Sequence, residues 1–182
     1  HSDVMMGMIT TKNQYWQRIR QSAADLGANS GPDDVYLALR GMRTIGVRMR
    51  QHQENGLKLA RWLENRPEVD RVLHPALPND PSHELWKRDF TGACGLFGVV
   101  LKPYPEVALA AMLDGLDLYG MGASWGGFES LILLTNPAST RTVAKEQWEK
   151  NGPTLRIHAG LEDPEDLIAD LEKGFERLNA NT

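Results

Sequence analysis

The chain's 182 residues and 20.3 kDa suffice for one domain with a real core, or for one domain and a piece of another. Hydrophobic residues make up 41% and charged residues 24%, the balance of a globular protein, which excludes disorder throughout. The 20 basic and 24 acidic residues leave a net charge of −4 with no run of one sign, no apolar stretch can span a bilayer, and Cys94 stands alone. A nucleic-acid or anionic-membrane binder and an internal disulfide are therefore excluded, and a reducing, cytoplasmic compartment is expected.

The chain opens His1-Ser2-Asp3, without Met and without the layout of a signal peptide. Val4 to Thr10 reads as a short buried strand. The next strand candidate does not come until about Val69, so this one has no neighbour to satisfy its hydrogen bonds, which suggests a piece of something longer. Lys12 to Leu26 reads as a helix stopped by Gly27, and Gly27 to Pro32 as a loop. Asp33 and Asp34 then suit the start of a short helix reaching Leu39.

Thr44 to Asn65 carries the clearest helical period. Ile45, Met49, His52, Gly56, Leu59 and Leu63 recur at steps of three and four, while Arg50, Gln53, Glu54, Arg61 and Glu64 take the other face. At ~1.5 Å per residue such a rod is roughly 30 Å long, enough to bridge two domains. Strand candidates follow at Val69–Leu73, Gly95–Leu101, Leu118–Met121, Ser130–Leu134 and Leu155–Ala159, with a proline-rich loop from Pro75 to Pro81. Helices are expected at Glu106–Leu116 and Asp163–Asn179, the latter with Asp163 as N-cap, Pro164 at the first turn, and Glu165 and Asp166 complementing the dipole. From about residue 43 onward the pattern is an α/β or α+β domain, a small sheet covered by helices.

The chemistry-bearing residues are sparse. No phosphate loop, dinucleotide fingerprint or zinc spacing occurs, and the five histidines do not fall at metal-ligand spacings. Cys94, at the mouth of a strand, reads as a small buried residue rather than a nucleophile. Glu162, Asp163, Glu165 and Asp166 read as the acidic start of a helix rather than as paired catalytic carboxylates. Two segments stand out. Gly122 to Ser130 sets three glycines around Ser124 and Trp125, which gives a tight backbone path; composition alone favours a structural turn with Trp125 packed in the core. In Thr154 to Gly160, Leu155, Ile157 and Ala159 alternate with Arg156 and His158, so Arg156 points away from the apolar face at a strand centre. An exposed surface arginine and a guanidinium gripping a carboxylate through two parallel hydrogen bonds are equally consistent with that pattern.

At these segments the chain resembles the C-terminal portion of the cystathionine β-lyase family, in the Cys/Met-metabolism group of pyridoxal-phosphate enzymes with the aspartate-aminotransferase-like fold. The resemblance rests on His1-Ser2-Asp3, Leu39 to Thr44, Arg48 to His52, Trp86 to Gly92, Ser124 to Leu131 and Arg156 to Asp163. Ser124-Trp125-Gly126-Gly127 points to the β-lyase branch, since γ-synthases and γ-lyases more often carry Ser-Leu-Gly-Gly there.

The resemblance implies that residues 1–42 end a large cofactor-binding domain. Residues 43–182 would form the small C-terminal domain, entered by a long inter-domain helix at about 44–65. It implies pyridoxal 5′-phosphate as cofactor, acting as an electron sink for β-elimination of cystathionine to homocysteine, pyruvate and ammonia, a transsulfuration step of methionine biosynthesis. The lysine that carries the cofactor as a Schiff base falls before His1 in the family pattern. None of Lys12, Lys58, Lys87, Lys102, Lys145, Lys150 or Lys173 matches it, so no catalytic, cofactor-binding or metal-binding residue is expected within the chain, which would be inactive alone. Arg156 is implied as the anchor of the substrate carboxylate, with Ser124 and Trp125 lining the same pocket. Ala123 stands where bacterial relatives often carry tyrosine, and Phe128 replaces a common tyrosine, so the choice among thioether amino acids is open. Partners implied are the amino-acid thioether, the remainder of the polypeptide and further copies in a dimer of dimers. A γ-synthase or γ-lyase of the same group, and a non-catalytic assembly domain that keeps the fold, are the alternatives.

Overall fold

The computed structural model describes residues 1–143 and 145–182 and divides into two units, His1–Gly46 and Val47–Thr182. The first holds two helices, α1 (Asn13–Asp25) and α2 (Pro32–Met42). Gly27, at φ 65°, ends α1 by letting the Ala28 N–H return to the Ala23 carbonyl at 2.8 Å, a turn that L side chains resist. Pro32 opens α2, and Asp33 and Asp34 sit in its first turn. The strand expected at Val4–Thr10 is absent: this segment is irregular, and Met5, Met8 and Ile9 are exposed. An apolar run becomes a strand only against a partner ladder, and none lies beside it among the described residues. Among the described residues of this unit none is buried, so Trp16, Tyr36 and Leu39 keep their apolar surfaces open.

Helix α3 (Ile45–Glu64) follows the period read from the sequence, burying His52, Asn55, Gly56, Leu59, Ala60 and Leu63 along one stripe. Gly56 is required there, because a Cβ would stand 2.9 Å from the Cys94 carbonyl oxygen. Beyond it the order is β1 (Val69–Leu73), α4 (His83–Asp89), β2 (Leu96–Leu101), α5 (Glu106–Asp114), β3 (Gly120–Met121), β4 (Leu131–Thr135), α6 (Pro137–Thr140), α7 (Lys145–Glu149), β5 (Thr154–His158) and α8 (Pro164–Ala180). The strands form one sheet in the order β1-β2-β5-β4-β3, antiparallel except for the short parallel pair of β3 and β4. The five-stranded sheet covered by helices is the fold class expected from the sequence.

Val99, Leu101, Ile132, Leu155 and Ile157 of the sheet meet Leu59 and Leu63 of α3, Ala108 and Met112 of α5, and Leu167, Leu171, Phe175 and Leu178 of α8 in one core. Asp163 caps α8 by accepting the Glu165 N–H. The buried Asp170 carboxylate accepts the N–H groups of Asp117 and Leu118, fixing the turn into β3. Three short helices, α4, α6 and α7, carry no expectation from the sequence, and the strand expected over Leu118–Met121 shrinks to two residues. Cys94 is exposed, not buried as expected: it does lie just ahead of the strand, but the loop that carries it leaves its side chain open. Among the described residues no helix is long and apolar enough to cross a membrane, and no group of side chains is placed to hold a metal ion.

Candidate functional site

Strand β5 lies in the middle of the sheet, flanked by β2 and β4, and Arg156 is its central residue, opposite Gly98 on one side and Leu133 on the other. Leu155 and Ile157 face the core, and Arg156 and His158 share the opposite face. That face looks onto the glycine turn Gly122–Ser130.

Arg156 Nη2 donates toward three successive carbonyls of the turn: Gly122 at 3.2 Å, Ala123 at 2.7 Å and Ser124 at 3.4 Å. The guanidinium carbon lies 5.5 Å from the centroid of the Trp125 ring, a cation–π distance. Nη2 is thus occupied, whereas Nε and Nη1 find no partner among the described residues. The two-point edges of the planar fork, Nε with Nη2 and Nη1 with Nη2, both include the nitrogen that faces the turn, so a carboxylate gripped by both oxygens takes Nε or Nη1 together with a share of Nη2.

Ser124 and Trp125 come to the same place, though not as composition suggested. Trp125 is 61% exposed, so the reading that packs it in the core fails; it covers the guanidinium instead. Ser124 is exposed and contributes its carbonyl, and no partner for its hydroxyl is found among the described residues. The structure therefore gathers Arg156, Ser124 and Trp125.

The turn is fastened by residues that sequence reasoning did not single out for this task. Gly126, at φ 81°, sets its N–H against the His158 ring, 3.1 Å from Nε2 and 3.5 Å from Nδ1, and Nε2 lies 3.3 Å from the Gly127 carbonyl oxygen. The Ser130 N–H and hydroxyl both donate to the Glu162 carboxylate, at 2.7 and 2.8 Å, and the Gly160 N–H donates to Ser130 Oγ at 2.8 Å. The Leu161 N–H reaches the Phe128 carbonyl at 2.8 Å. Gly160 must lack a side chain, since a Cβ would collide with the Phe128 carbonyl and the Glu162 carboxylate. From α3, His52 Nδ1 lies 2.9 Å from the Ala159 carbonyl, and Asn55 Nδ2 donates to the carbonyls of Gly160 and Glu162. The sequence pattern groups Glu162 with three other acids at a helix start, but its carboxylate holds Ser130 and only Asp163 caps. The available signal was that Glu162 precedes the N-cap and so lies outside the helix.

His158 is 3% exposed, its ring 5.1 Å from that of His52. Burial holds it below the usual histidine value; hydrogen bonding to Gly127 pulls upward, the neighbouring His52 pulls downward, and Glu129 and Glu162 pull upward. All seven lysines are exposed, with Lys58, Lys87 and Lys145 paired to Glu165, Glu84 and Glu149. A separate cavity of about 890 Å³ lies between α3, α4 and the loop before β2, lined by Gln53, Trp86, Phe90 and Cys94 among others. It includes none of Arg156, Ser124 and Trp125.

Residues 1–176 match the Cys/Met metabolism PLP-dependent enzyme family. The chain is 46% identical to the cystathionine beta-lyase of Escherichia coli over 180 residues, covering 98% of this chain and 46% of that protein. It is 41% identical to an L-alanine/L-glutamate racemase of Wolbachia pipientis, over 98% of this chain and 44% of that protein. Among solved structures, a cystathionine gamma synthase of Xanthomonas oryzae in complex with cystathionine superposes with a TM-score of 0.84 at 33% identity, over 96% of this chain and 46% of that one. The chain thus spans about half the length of the relatives it matches. A match over nearly all of its residues settles the lineage: the chain belongs to the Cys/Met metabolism PLP-dependent enzyme family.

Proposed function

We propose that this chain supplies the substrate-carboxylate site of a pyridoxal-phosphate-dependent carbon–sulfur β-lyase that converts cystathionine to homocysteine, pyruvate and ammonia. The supporting observation is the state of Arg156: Nη2 is tied to the glycine turn, the ring of Trp125 covers the group, and Nε and Nη1 remain as donors for a carboxylate. Elimination needs the bond to the Cα proton held at a fixed angle, and a rigid two-point grip on the neighbouring carboxylate provides that orientation. A strand at the centre of a sheet is a stiff mount for such a grip.

Residues 1–42 are proposed to belong to a cofactor-binding domain and 43–182 to the small domain. The family's cofactor needs a buried lysine amine as its attachment point, and the exposed lysines of this chain do not fit that role. The 182 residues alone are therefore proposed not to catalyse. The active form is proposed to be a cytoplasmic assembly of several copies of the longer polypeptide.

The test is Arg156→Ala in the full-length protein loaded with cofactor. Arg156 is half-buried, and a hydrogen bond to a charged group is worth ~1.5–3 kcal/mol, so kcat/KM for cystathionine should fall at least about 10-fold, with KM rising and kcat also reduced. Unchanged kcat/KM would place the carboxylate elsewhere. A γ-type reaction is the second reading, supported by the γ-synthase likeness and the small Ala123 beside the clamp. Release of 2-oxobutyrate in place of pyruvate would establish it.

A further inference from the structure

Ser130 closes the glycine turn: its carbonyl accepts the Gly120 N–H at 3.0 Å, where the short β3 begins to pair with β4. Its other polar atoms all face the segment that follows β5. The N–H donates to Glu162 Oε1 at 2.7 Å, the hydroxyl donates to Glu162 Oε2 at 2.8 Å, and Oγ accepts the Gly160 N–H at 2.8 Å. Two residues earlier, the Phe128 carbonyl accepts the Leu161 N–H. Glu162 is also held from behind, since its own carbonyl accepts from Asn55 Nδ2 of α3 at 3.0 Å. One residue thus joins α3, the end of the Arg156 strand and the base of the turn whose carbonyls orient the guanidinium. We propose that Glu162 is a positioning residue for the Arg156 clamp, its carboxylate fixing the distance between the strand that mounts the guanidinium and the turn that aims it.

This role rests on the reading of Arg156 as the carboxylate anchor and adds to it what sets the anchor's distance from the turn. Ser130 is fully buried, so water does not replace a lost partner there. It presents two donors side by side, and an ionised carboxylate is the side chain that accepts at both oxygens and donates at neither. The hydroxyl hydrogen is thereby directed to Glu162, which leaves an Oγ lone pair for the Gly160 N–H. An amide in the same place breaks the pattern in either orientation. With its oxygen toward the Ser130 N–H, its NH2 group faces Oγ and the hydroxyl hydrogen loses its acceptor. With its NH2 group toward the Ser130 N–H, two donors face each other. Arg156 lies on the same stretch of chain as Glu162, and its Nη2 is fastened to the carbonyls of Gly122, Ala123 and Ser124. With the base of the turn released, the guanidinium follows whatever path the turn takes, and the grip on the substrate carboxylate loses its alignment.

The experiment uses the full-length holoenzyme and compares Glu162→Gln and Glu162→Asp in the wild-type and Arg156→Ala backgrounds. Glu162→Gln should lower kcat/KM about tenfold, chiefly through KM, the scale of a misaligned grip. Glu162→Asp keeps two accepting oxygens on a stem one methylene shorter and should lose less, about threefold. With Arg156 replaced by Ala there is no grip to misalign, so each further substitution should change kcat/KM by less than about twofold. A purely structural role would lower the active fraction equally in both backgrounds. Independently of activity, the ¹⁹F signal of fluorotryptophan incorporated in place of Trp125, assigned with Trp125→Phe, should shift or broaden in Glu162→Gln and less in Glu162→Asp, because that ring rides on the turn and covers the guanidinium. If Glu162→Gln does not fold, Glu162→Asp carries the same comparison. An unchanged kcat/KM in Glu162→Gln, the same loss with and without Arg156, or a Glu162→Asp weaker than Glu162→Gln would overturn the positioning role. Failure of the underlying reading looks different: Arg156→Ala itself would leave kcat/KM intact, whereas a damaged Arg156→Ala beside an unaffected Glu162→Gln overturns the role of Glu162 alone.

Discussion

Ser130 offers the sharpest test of how the glycine turn is anchored. It is fully buried, and its hydroxyl donates to Glu162 at 2.8 Å while accepting the Gly160 N–H at 2.8 Å. Ser130→Ala removes both bonds and leaves the third, from its own backbone N–H to Glu162, in place. The lost bond to a charged acceptor is worth ~1.5–3 kcal/mol, and the stranded buried N–H of Gly160 costs ~1–3 kcal/mol. The sum is roughly 2.5–6 kcal/mol with almost no change in volume. At ~2–4 °C per kcal/mol for a domain of this size, Tm should drop by about 5–24 °C. Equilibrium urea unfolding should show a lower midpoint at unchanged slope. Ser139→Ala is the control: its hydroxyl bonds only the exposed Asn136 carbonyl, and the expected change is within about 0.5 kcal/mol. If the two variants lose the same small amount, the turn does not depend on the Ser130–Glu162–Gly160 contacts, and the account of the site's rigidity fails.

Gly160→Ala should lower stability by about 3 kcal/mol, read as Tm, because the added Cβ meets the Phe128 carbonyl and the Glu129 backbone, which cannot swing aside as a side-chain end can. Stability should also depend on pH in two separate windows, followed by urea unfolding at fixed temperature. His74 and His158 are both held below 6.5, chiefly by burial, so in the unfolded chain they take protons first. More protons bound in the unfolded state means stability rises with pH; it is complete above about 6.5 and declines as pH falls toward the lower folded values. His158→Gln should flatten part of that slope. For Glu68, burial raises the carboxyl, but hydrogen bonds from Arg66 and Asn179 outweigh it and bring it below 4.5. Its contribution is therefore present above 4.5 and lost as pH falls through the lower folded value. Asn179→Ala should shrink that acid-side loss, and an unchanged profile would show that the Glu68 contacts do not hold in solution.

What could be read from the sequence and what could not divide along the range of the interaction. The period of α3 and the alternation of β5 are written in consecutive residues, so the buried stripe from His52 to Leu63 and the outward direction of Arg156 followed from spacing alone. The start of α8 is equally local, since Asp163 reaches only as far as the Glu165 N–H. Helix α4 escaped because seven residues give too little period to distinguish from a loop, and the supposed strand at Val4–Thr10 misled because apolar content says nothing about a partner. The site divides in the same way. Arg156 and the glycine turn announced themselves by composition, but nothing local ties Glu162 to Ser130, 32 residues away, or His52 to the Ala159 carbonyl, 107 residues away. Those contacts arise only once α3 is laid beside the end of β5. The consequence is specific: the residues that grip a substrate can be chosen by a short motif, whereas the residues that keep the grip aimed are recruited from wherever the fold brings a donor or acceptor within about 3 Å. His158 belongs to both classes, lying inside the motif by sequence while its ring packs against Gly126 and Gly127, about 30 residues earlier in the chain.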